Sequence, residues 1–194
     1  MVLALVLAAA ASASPAVPSF ESALHSLRLA VRETRAAQLT VKDAALAARL
    51  DRAAWDVQRR ESEASRLRAD LSDLRRRLQL NRGDMRWEVQ RVARSVTDHA
   101  RELQWNLQEV RAIRQAVTGK DPDLDAPARR LDSQTRWLVS ESRWLQNEGR
   151  WIGSALRRAG YTWEAFDVER GLRDAEDRVR DLENEARAIL DKLR

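Results

Sequence analysis

The sequence predicts an all-α protein: an elongated antiparallel helical bundle with coiled-coil-like packing, formed by four long helices plus a shorter N-terminal helical segment. Three observations predict this fold. Charged residues make up 34% of the 194 residues, with only 6 Gly and 4 Pro, a composition typical of long helices. Apolar residues recur at alternating spacings of four and three, as in packed heptads. Runs of alternating β-branched residues, which would indicate strands, are missing.

The first 19 residues carry no charge and precede the helical part of the chain. Residues 1–13 are apolar but too short for the roughly 20 residues that span a bilayer. They end in the small residues Ala11-Ser12-Ala13, which form a typical cleavage site. The segment therefore predicts a signal peptide, a linker at 14–19, and an exported, periplasmic or extracellular protein. The basic region that usually opens such a signal is missing, because the first basic residue is Arg28.

Residues 20–194 are predicted to form a single helical-bundle domain that begins with two helical segments. The first runs from 20 to 37, with Ser19 as its N-cap, and places Phe20, Leu24, Leu27 and Val31 on one face. The second runs from 41 to 80, with Thr40 as a cap, although the two segments could also form one continuous helix. Its heptad seam, the line of core positions along the helix, is Leu46, Leu50, Ala53, Val57, Arg60, Ala64, Leu67, Leu71, Leu74 and Leu78.

Three further helices follow, separated by a turn at 81–84 and a loop at 119–123. The third helix runs from 85 to 118, with Asp84 as its N-cap. The fourth helix runs from about 125 to Gly160, a glycine that ends the helix. The fifth begins after Thr162 as a cap. The seam of the third helix is Met85, Val89, Val92, Val96, His99, Leu103, Asn106, Val110 and Val117. The seam of the fourth helix is Leu131, Thr135, Leu138, Ser142, Leu145, Gly149, Ile152, Leu156 and Ala159. The seam of the fifth helix is Val168, Leu172, Ala175, Val179, Leu182, Ala186, Ile189 and Leu193.

The last two helices carry opposite charge, which favours packing against each other. Residues 126–159 contain seven Arg and three acidic residues, whereas 163–193 contain six basic and ten acidic residues. The protein has a net charge of +5, but two neighbouring segments of opposite sign neutralise each other. Nucleic-acid binding usually requires positive charge concentrated on one surface, so the charge distribution argues against nucleic acid as the partner.

The most distinctive motif is a line of three tryptophans in the fourth helix. Trp137, Trp144 and Trp151 lie seven residues apart, and each follows an arginine: Arg136, Arg143 and Arg150. On a helix the tryptophan line is turned about 100° away from the leucine seam. A second stripe of this kind favours a second packed neighbour. We therefore interpret the tryptophans as a seam between helices, with Glu141 and Glu148 pairing with arginines of adjacent helices.

Two other interpretations of the tryptophan line remain open. An exposed Arg-Trp stripe would form a large apolar patch, which usually marks an interaction site. Such a stripe would bind a glycan, lipid headgroups or an unfolded client protein. The same residues could instead form a seam between copies of the chain. The candidate binding residues are therefore Trp137, Trp144, Trp151, Arg136, Arg143 and Arg150.

No catalytic or cofactor motif is recognisable in the sequence. The chain contains no cysteine, which excludes disulfides, zinc–thiolate sites and thiol nucleophiles. Neither His25 nor His99 has a glutamate three residues before it, as a di-iron bundle site requires. A glycine-rich phosphate loop is also missing. We expect no catalytic residues, no metal, no cofactor and no enzymatic activity.

The sequence thus predicts a non-enzymatic, exported helical-bundle protein of the cell envelope, acting as a structural or protein-interaction module. A protein partner or self-association is the expected mode of interaction. The first alternative is a ligand-binding module that uses the Arg-Trp stripe for a glycan, lipid headgroups or an unfolded client. The second alternative is a cytosolic basic coiled coil that binds nucleic acid.

Overall fold

The computed structural model describes residues 20–80 and 84–194, which form four α-helices. These are α1 (Phe20–Gln79), α2 (Arg86–Ala116), α3 (Pro122–Arg158) and α4 (Thr162–Leu193). No strand occurs in the described residues, and the predicted all-α helical bundle is confirmed. The predicted signal peptide, the linker, the Ser19 cap and most of the turn at 81–84 lie outside the described residues.

Of the two arrangements that the sequence left open at the N-terminus, the continuous helix is the observed one, because residues 20–79 all belong to α1. The shorter separate segment does not form. The stretch around Thr40 contains neither Gly nor Pro, and a threonine inside a helix costs only a few tenths of a kcal/mol. The chain divides into two compact units, residues 1–42 and 43–194, with the boundary inside the range 20–194 predicted as one domain. In the first unit all described side chains from 24 to 38 are exposed, including Leu24, Leu27 and Val31.

In the second unit, helices that follow one another along the chain are antiparallel. Between α1 and α2, Arg60 pairs with Glu102 and Asp70 pairs with Arg91. The residue numbers rise along α1 while they fall along α2. Between α3 and α4, Arg157 pairs with Glu169, and the contacts along these two helices follow the same descending order.

The two hairpins, α1–α2 and α3–α4, pack side by side with parallel helices in contact. Arg68 and Arg75 of α1 pair with residues 73 positions further along the chain, Glu141 and Glu148 of α3. Arg111 of α2 bonds Glu185 of α4, which lies 74 positions further on. Along α1 the partner on α3 moves from Arg130 at Asp51 to Glu148 at Arg75, and along α2 the partner on α4 moves from Arg178 at Gln104 to Glu185 at Arg111. The residue numbers rise together in both pairs, so α1 runs parallel to α3, and α2 runs parallel to α4.

The core is built almost entirely from aliphatic side chains, most of them at the predicted seam positions; Leu107, Ile113 and Leu190 are buried at positions that were not predicted. Every predicted seam residue of α1 from Leu46 to Leu78 is buried, and so is every one of α4. On α2 the seam is buried except for Asn106, which is half-buried, and on α3 the only exposed member is Ala159. The polar members Arg60 and His99 are buried as well.

The helix ends agree in part with the predicted caps. The N-cap residue of α2 is Met85 and not the predicted Asp84, although Asp84 accepts a hydrogen bond from the backbone N–H of Arg86. Gly160 ends the α3 region, as predicted, with a φ of 88°. The predicted start of α3 near Asp125 is wrong, because Pro122 already begins the helix and Asp121 caps it. Proline is favourable at a first helical position. Thr162 is the first residue of α4, and no side-chain cap bond precedes it.

Candidate binding face on α3

All seven tryptophans of the protein lie in the described residues, and all seven are exposed. Their exposed fractions run from 62% for Trp137 and Trp144 to 83% for Trp163. Large aromatic side chains are highly buried on average in folded proteins, and here the aliphatic core is complete without them. The interpretation of Trp137, Trp144 and Trp151 as a seam between helices of the bundle is therefore wrong.

The heptad register of α3 explains this outward placement. Leu138, Leu145 and Ile152 are buried in the core, and each tryptophan of the line precedes one of them. Successive helical residues turn by about 100°. Within the described residues, α3 contacts α1 through Glu141 and Glu148 and α4 through Gly149 and Gly153, and the exposed indoles lie outside both contacts. The second stripe therefore faces away from the bundle.

Three columns of side chains run along the outer side of α3, each with a period of seven residues. The arginine column and the tryptophan column are separated by a column of small polar residues, since a residue four positions after an arginine falls between the two. We call this surface the Arg–Trp face. The small polar column consists of Ser133, Ser140, Asn147 and Ser154, all exposed. The hydroxyls of Ser140 and Ser154 donate to backbone carbonyls of their own helix.

The arginine column is longer than the three predicted arginines, because Arg129 and Arg157 continue it at both ends. The interval of seven could have revealed this extension in the sequence. Three of the column's five members are neutralised by acidic neighbours: Arg129 by Asp125, Arg136 by Asp132 and Arg157 by Glu169. In the described part of the chain, Arg143 and Arg150 have no acidic group within 4.0 Å. The centre of the face therefore carries two free positive charges beside Trp144 and Trp151.

Two acidic residues of α3, Glu141 and Glu148, point away from this face and toward α1. Glu141 and Glu148 pair with Arg68 and Arg75 of α1 at 3.2 and 3.1 Å, which confirms their predicted pairing with an adjacent helix. Burial, followed by the charge of Glu141, raises the pKa of Glu61 at the same boundary. These two acids therefore tie α3 to α1 and leave Arg143 and Arg150 at the centre of the Arg–Trp face unneutralised.

The other flank of α3 is held close to α4 by glycines. A side chain at Gly149 would overlap Leu172 of α4, and one at Gly153 would overlap the carboxylate of Glu169. A groove of about 340 Å³ lies along this boundary and is lined in part by Arg150 and Arg157. The hydrogen bond from Arg157 to Glu169, followed by the charge of Glu169, raises the pKa of Arg157.

The second polar cluster of interest is buried between α1 and α2. His99 is only 4% exposed, and its Nδ1 lies 4.0 Å from a carboxylate oxygen of Glu63. Burial lowers the pKa of His99 to about 4. The negative charge of Glu63 acts in the opposite direction, and the positive charge of Arg60 acts in the same direction as burial. The histidine is thus a neutral interior residue at a seam position, and its Nδ1 makes no hydrogen bond within the described residues. Among the described residues no group of three acidic or histidine side chains is arranged to hold a metal ion.

The remaining tryptophans lie singly on other helices. Trp55 belongs to α1, Trp87 and Trp105 to α2, and Trp163 to α4. The guanidinium of Arg91 lies 6.0 Å from the ring of Trp87. Only α3 aligns several indoles in one column, so the Arg–Trp face is the best candidate for a binding site.

Residues 20–80 and 84–194 contain no helix with an apolar stretch long enough to cross a bilayer. Comparison of the chain with protein families, with characterised proteins and with solved structures finds no match.

Proposed function

We propose that this chain is a non-enzymatic, exported binding protein that holds an extended anionic partner on the Arg–Trp face of α3. The observation that carries the proposal is the exposure of Trp137, Trp144 and Trp151, at 62%, 62% and 66%. A tryptophan side chain offers up to about 250 Å² of contact surface. The three indoles therefore present roughly 450 Å² in one line, comparable to the largest apolar patch on an ordinary monomer, which is often functional.

The exposed indoles favour ligand binding over a purely structural role. A structural bundle needs only the aliphatic core and the ion pairs between its helices. Water-exposed indoles and unpaired arginines add nothing to that core, and an exposed apolar patch has a cost in solubility. Export is supported by the apolar residues 1–13 and is checked separately by sequencing the N-terminus of the mature protein.

The partner is expected to be anionic because the arginine column of α3, from Arg129 to Arg157, contains five arginines and no acid. Arg143 and Arg150 at the centre are free to bind a carboxylate or a phosphate. Arginine binds such groups through two parallel hydrogen bonds. The binding free energy of an anionic ligand is therefore expected to be most favourable where the two free guanidinium groups lie beside the indoles.

The experiment is a binding assay with two matched variants. The first is Trp137→Gln/Trp144→Gln/Trp151→Gln. The control is Trp55→Gln/Trp87→Gln/Trp105→Gln, which removes three indoles with exposed fractions of 66%, 71% and 65%. Glutamine keeps the helix intact because it is a good helix former.

Four anionic probes cover the predicted partner classes: peptide-free glycan strands from a bacterial cell wall, phosphatidylglycerol vesicles, reduced and carboxymethylated α-lactalbumin as an unfolded client, and single-stranded DNA. We expect at least one probe to bind the wild type and the control variant but not the α3 variant. The proposal is overturned if no probe binds, or if both variants lose binding equally.

A further inference from the structure

We infer that the ligand of the Arg–Trp face is an extended β-1,4-linked polysaccharide with one acidic group in each disaccharide unit. The inference rests on the proposed function, because it names the ligand class of the same face. It follows from the period of the tryptophan column, the period of the arginine column and the small polar residues between them.

The tryptophan column has the repeat length of such a polysaccharide. Residues seven apart on a helix are separated by about 10.5 Å along the axis, and the column turns by only about 20° per heptad. An extended β-1,4-linked chain turns each sugar over relative to the last, so it presents the same ring face once per disaccharide. The disaccharide has this same length. Trp137, Trp144 and Trp151 would therefore stack on every second ring of one strand.

The arginine column has the same period, which places one guanidinium beside each disaccharide. Arg143 and Arg150 are free of acidic neighbours in the described part of the chain. A carboxylate on every second sugar would meet each of them in the same relative position. A neutral polysaccharide would leave both positive charges unsatisfied, which is why the inference includes the acid.

The small polar column completes the surface. Ser133, Ser140, Asn147 and Ser154 lie between the two larger columns and are exposed. Their oxygens can accept hydrogen bonds from sugar hydroxyls, and Ser133 and Asn147 can also donate. Each of these side chains is shorter than the neighbouring indoles, so a strand can lie against the indoles without being lifted away.

The other anionic partners fit this surface less well. An interfacial helix inserts a continuous apolar face into the lipid boundary, whereas here each tryptophan has an arginine and a small polar residue beside it. Single-stranded nucleic acid stacks successive bases on aromatic rings along a basic groove. Indoles about 10.5 Å apart are too widely spaced for successive stacked bases.

The test is calorimetric titration with three oligosaccharides of six sugars. The first is a peptide-free cell-wall glycan strand, in which alternate β-1,4-linked sugars carry a lactyl carboxylate. The second is a β-1,4-linked N-acetylglucosamine oligomer, which has the same linkage without the acid. The third is an α-1,4-linked oligogalacturonate, which is acidic but follows a different path. We expect the glycan strand to bind at least about tenfold more tightly than either of the others.

The variants separate the two columns. Each indole is expected to contribute roughly tenfold in affinity, so the α3 triple variant loses binding to both β-1,4-linked oligomers. Arg143→Gln/Arg150→Gln removes the preference for the acidic strand and leaves the affinity for the neutral oligomer unchanged. The matched control Arg66→Gln/Arg76→Gln removes two exposed arginines of α1 and leaves both affinities as in the wild type.

The outcomes distinguish this inference from the proposed function. Equal affinity for the acidic and neutral strands, or tighter binding of the α-linked oligomer, overturns the inference. If vesicles, unfolded α-lactalbumin or DNA bind through the α3 tryptophans while the glycan strand does not, the inference fails and the proposed function stands. If no probe depends on these tryptophans, both fail.

Discussion

Gly149 of α3 lies directly against Leu172 of α4, and a Cβ atom at position 149 would overlap the Leu172 side chain. Leu172 is 3% exposed, so the surrounding core leaves it little room to move. This contact sets how closely the two helices of the second hairpin approach. It also determines where the Arg–Trp face stands relative to the acidic helix α4.

Gly149→Leu is expected to lower the free energy of unfolding by about 2–3 kcal/mol through overpacking. The loss is informative because leucine is the better helix former, so propensity alone would raise stability. Urea unfolding followed by circular dichroism measures the effect. Leu172→Ala in the same chain should recover part of the loss, and Gly119→Leu, at a position with no atom nearby, should cost little. An unchanged midpoint for Gly149→Leu would contradict the close approach.

The buried His99 is expected to make stability depend on pH in a defined window. Its pKa is lowered from 6.5 to about 4 in the folded protein, so the unfolded chain binds a proton first as the pH falls. The stabilisation is fully present above pH 6.5 and is lost between pH 6.5 and about 4. The linkage relation gives a loss of about 3 kcal/mol over this window.

Urea unfolding at several pH values compares the wild type with His99→Leu. The carboxylates titrate in both proteins, so the difference between the two curves isolates the histidine. We expect His99→Leu to flatten the curve between pH 6.5 and 4. His25→Leu serves as the control because His25 is exposed. Curves of equal slope for the wild type and His99→Leu would show that His99 is not buried in its neutral form.

The pair Arg75–Glu148 is expected to help fix the parallel register of α1 and α3. Glu148→Arg places two guanidinium groups face to face at this half-buried boundary and should cost about 1 kcal/mol. Arg75→Glu in the same chain should restore most of the loss. Asp98→Arg beside the exposed Arg101 is the control and should cost less. A reversed pair that fails to recover stability would argue against direct contact between these residues.

Trp137→Gln/Trp144→Gln/Trp151→Gln is expected to leave the thermal midpoint within about 2–3 °C of the wild type, as for surface substitutions. The physical reason is that the indoles lie outside the core and glutamine keeps the helix. Circular dichroism at 222 nm measures the midpoint. Trp→Ala in a packed seam would cost several kcal/mol, so a large drop in the midpoint would restore the interpretation of these tryptophans as a seam.

Residues 43–194 are expected to fold without residues 1–42. The buried core begins at Leu46, and the described side chains from 24 to 38 are all exposed. We expect the shortened chain to keep its thermal midpoint and the cooperativity of its unfolding, as measured by circular dichroism. A shortened chain that melts earlier or over a broad range would show that the first unit stabilises the second.

The sequence was sufficient to predict the core but not the outer surface. Leu138 and Leu145 are recognisable as core residues because the heptad period depends only on helix geometry. The tryptophans have the same period, and the sequence alone could not show whether another helix packs over them. That depends on which helices become neighbours. Leu24 and Leu27 were assigned to a helical face for the same reason, and in the structure they are exposed.

The sequence was sufficient to predict which residues form the candidate site. It was not sufficient to predict which of the site's arginines are neutralised by acidic neighbours. Arg136, Arg143 and Arg150 look equivalent in the sequence. The structure separates them, because Asp132 neutralises Arg136 while the other two stay unpaired among the described residues. The difference lies in the residue one helical turn before each arginine. That residue is the acidic Asp132 for Arg136, but the uncharged Val139 for Arg143 and Gln146 for Arg150.

The outward placement of every indole also determines what the protein's own fluorescence can report. An indole that is already in water when the chain is folded changes its emission little when the helices melt. The emission spectrum of this protein should therefore follow its unfolding poorly, although it has seven tryptophans. The same spectrum should shift to shorter wavelength when a ligand covers the α3 column. The tryptophan fluorescence of this protein would then report the fraction of molecules with ligand bound, and not the fraction that is folded.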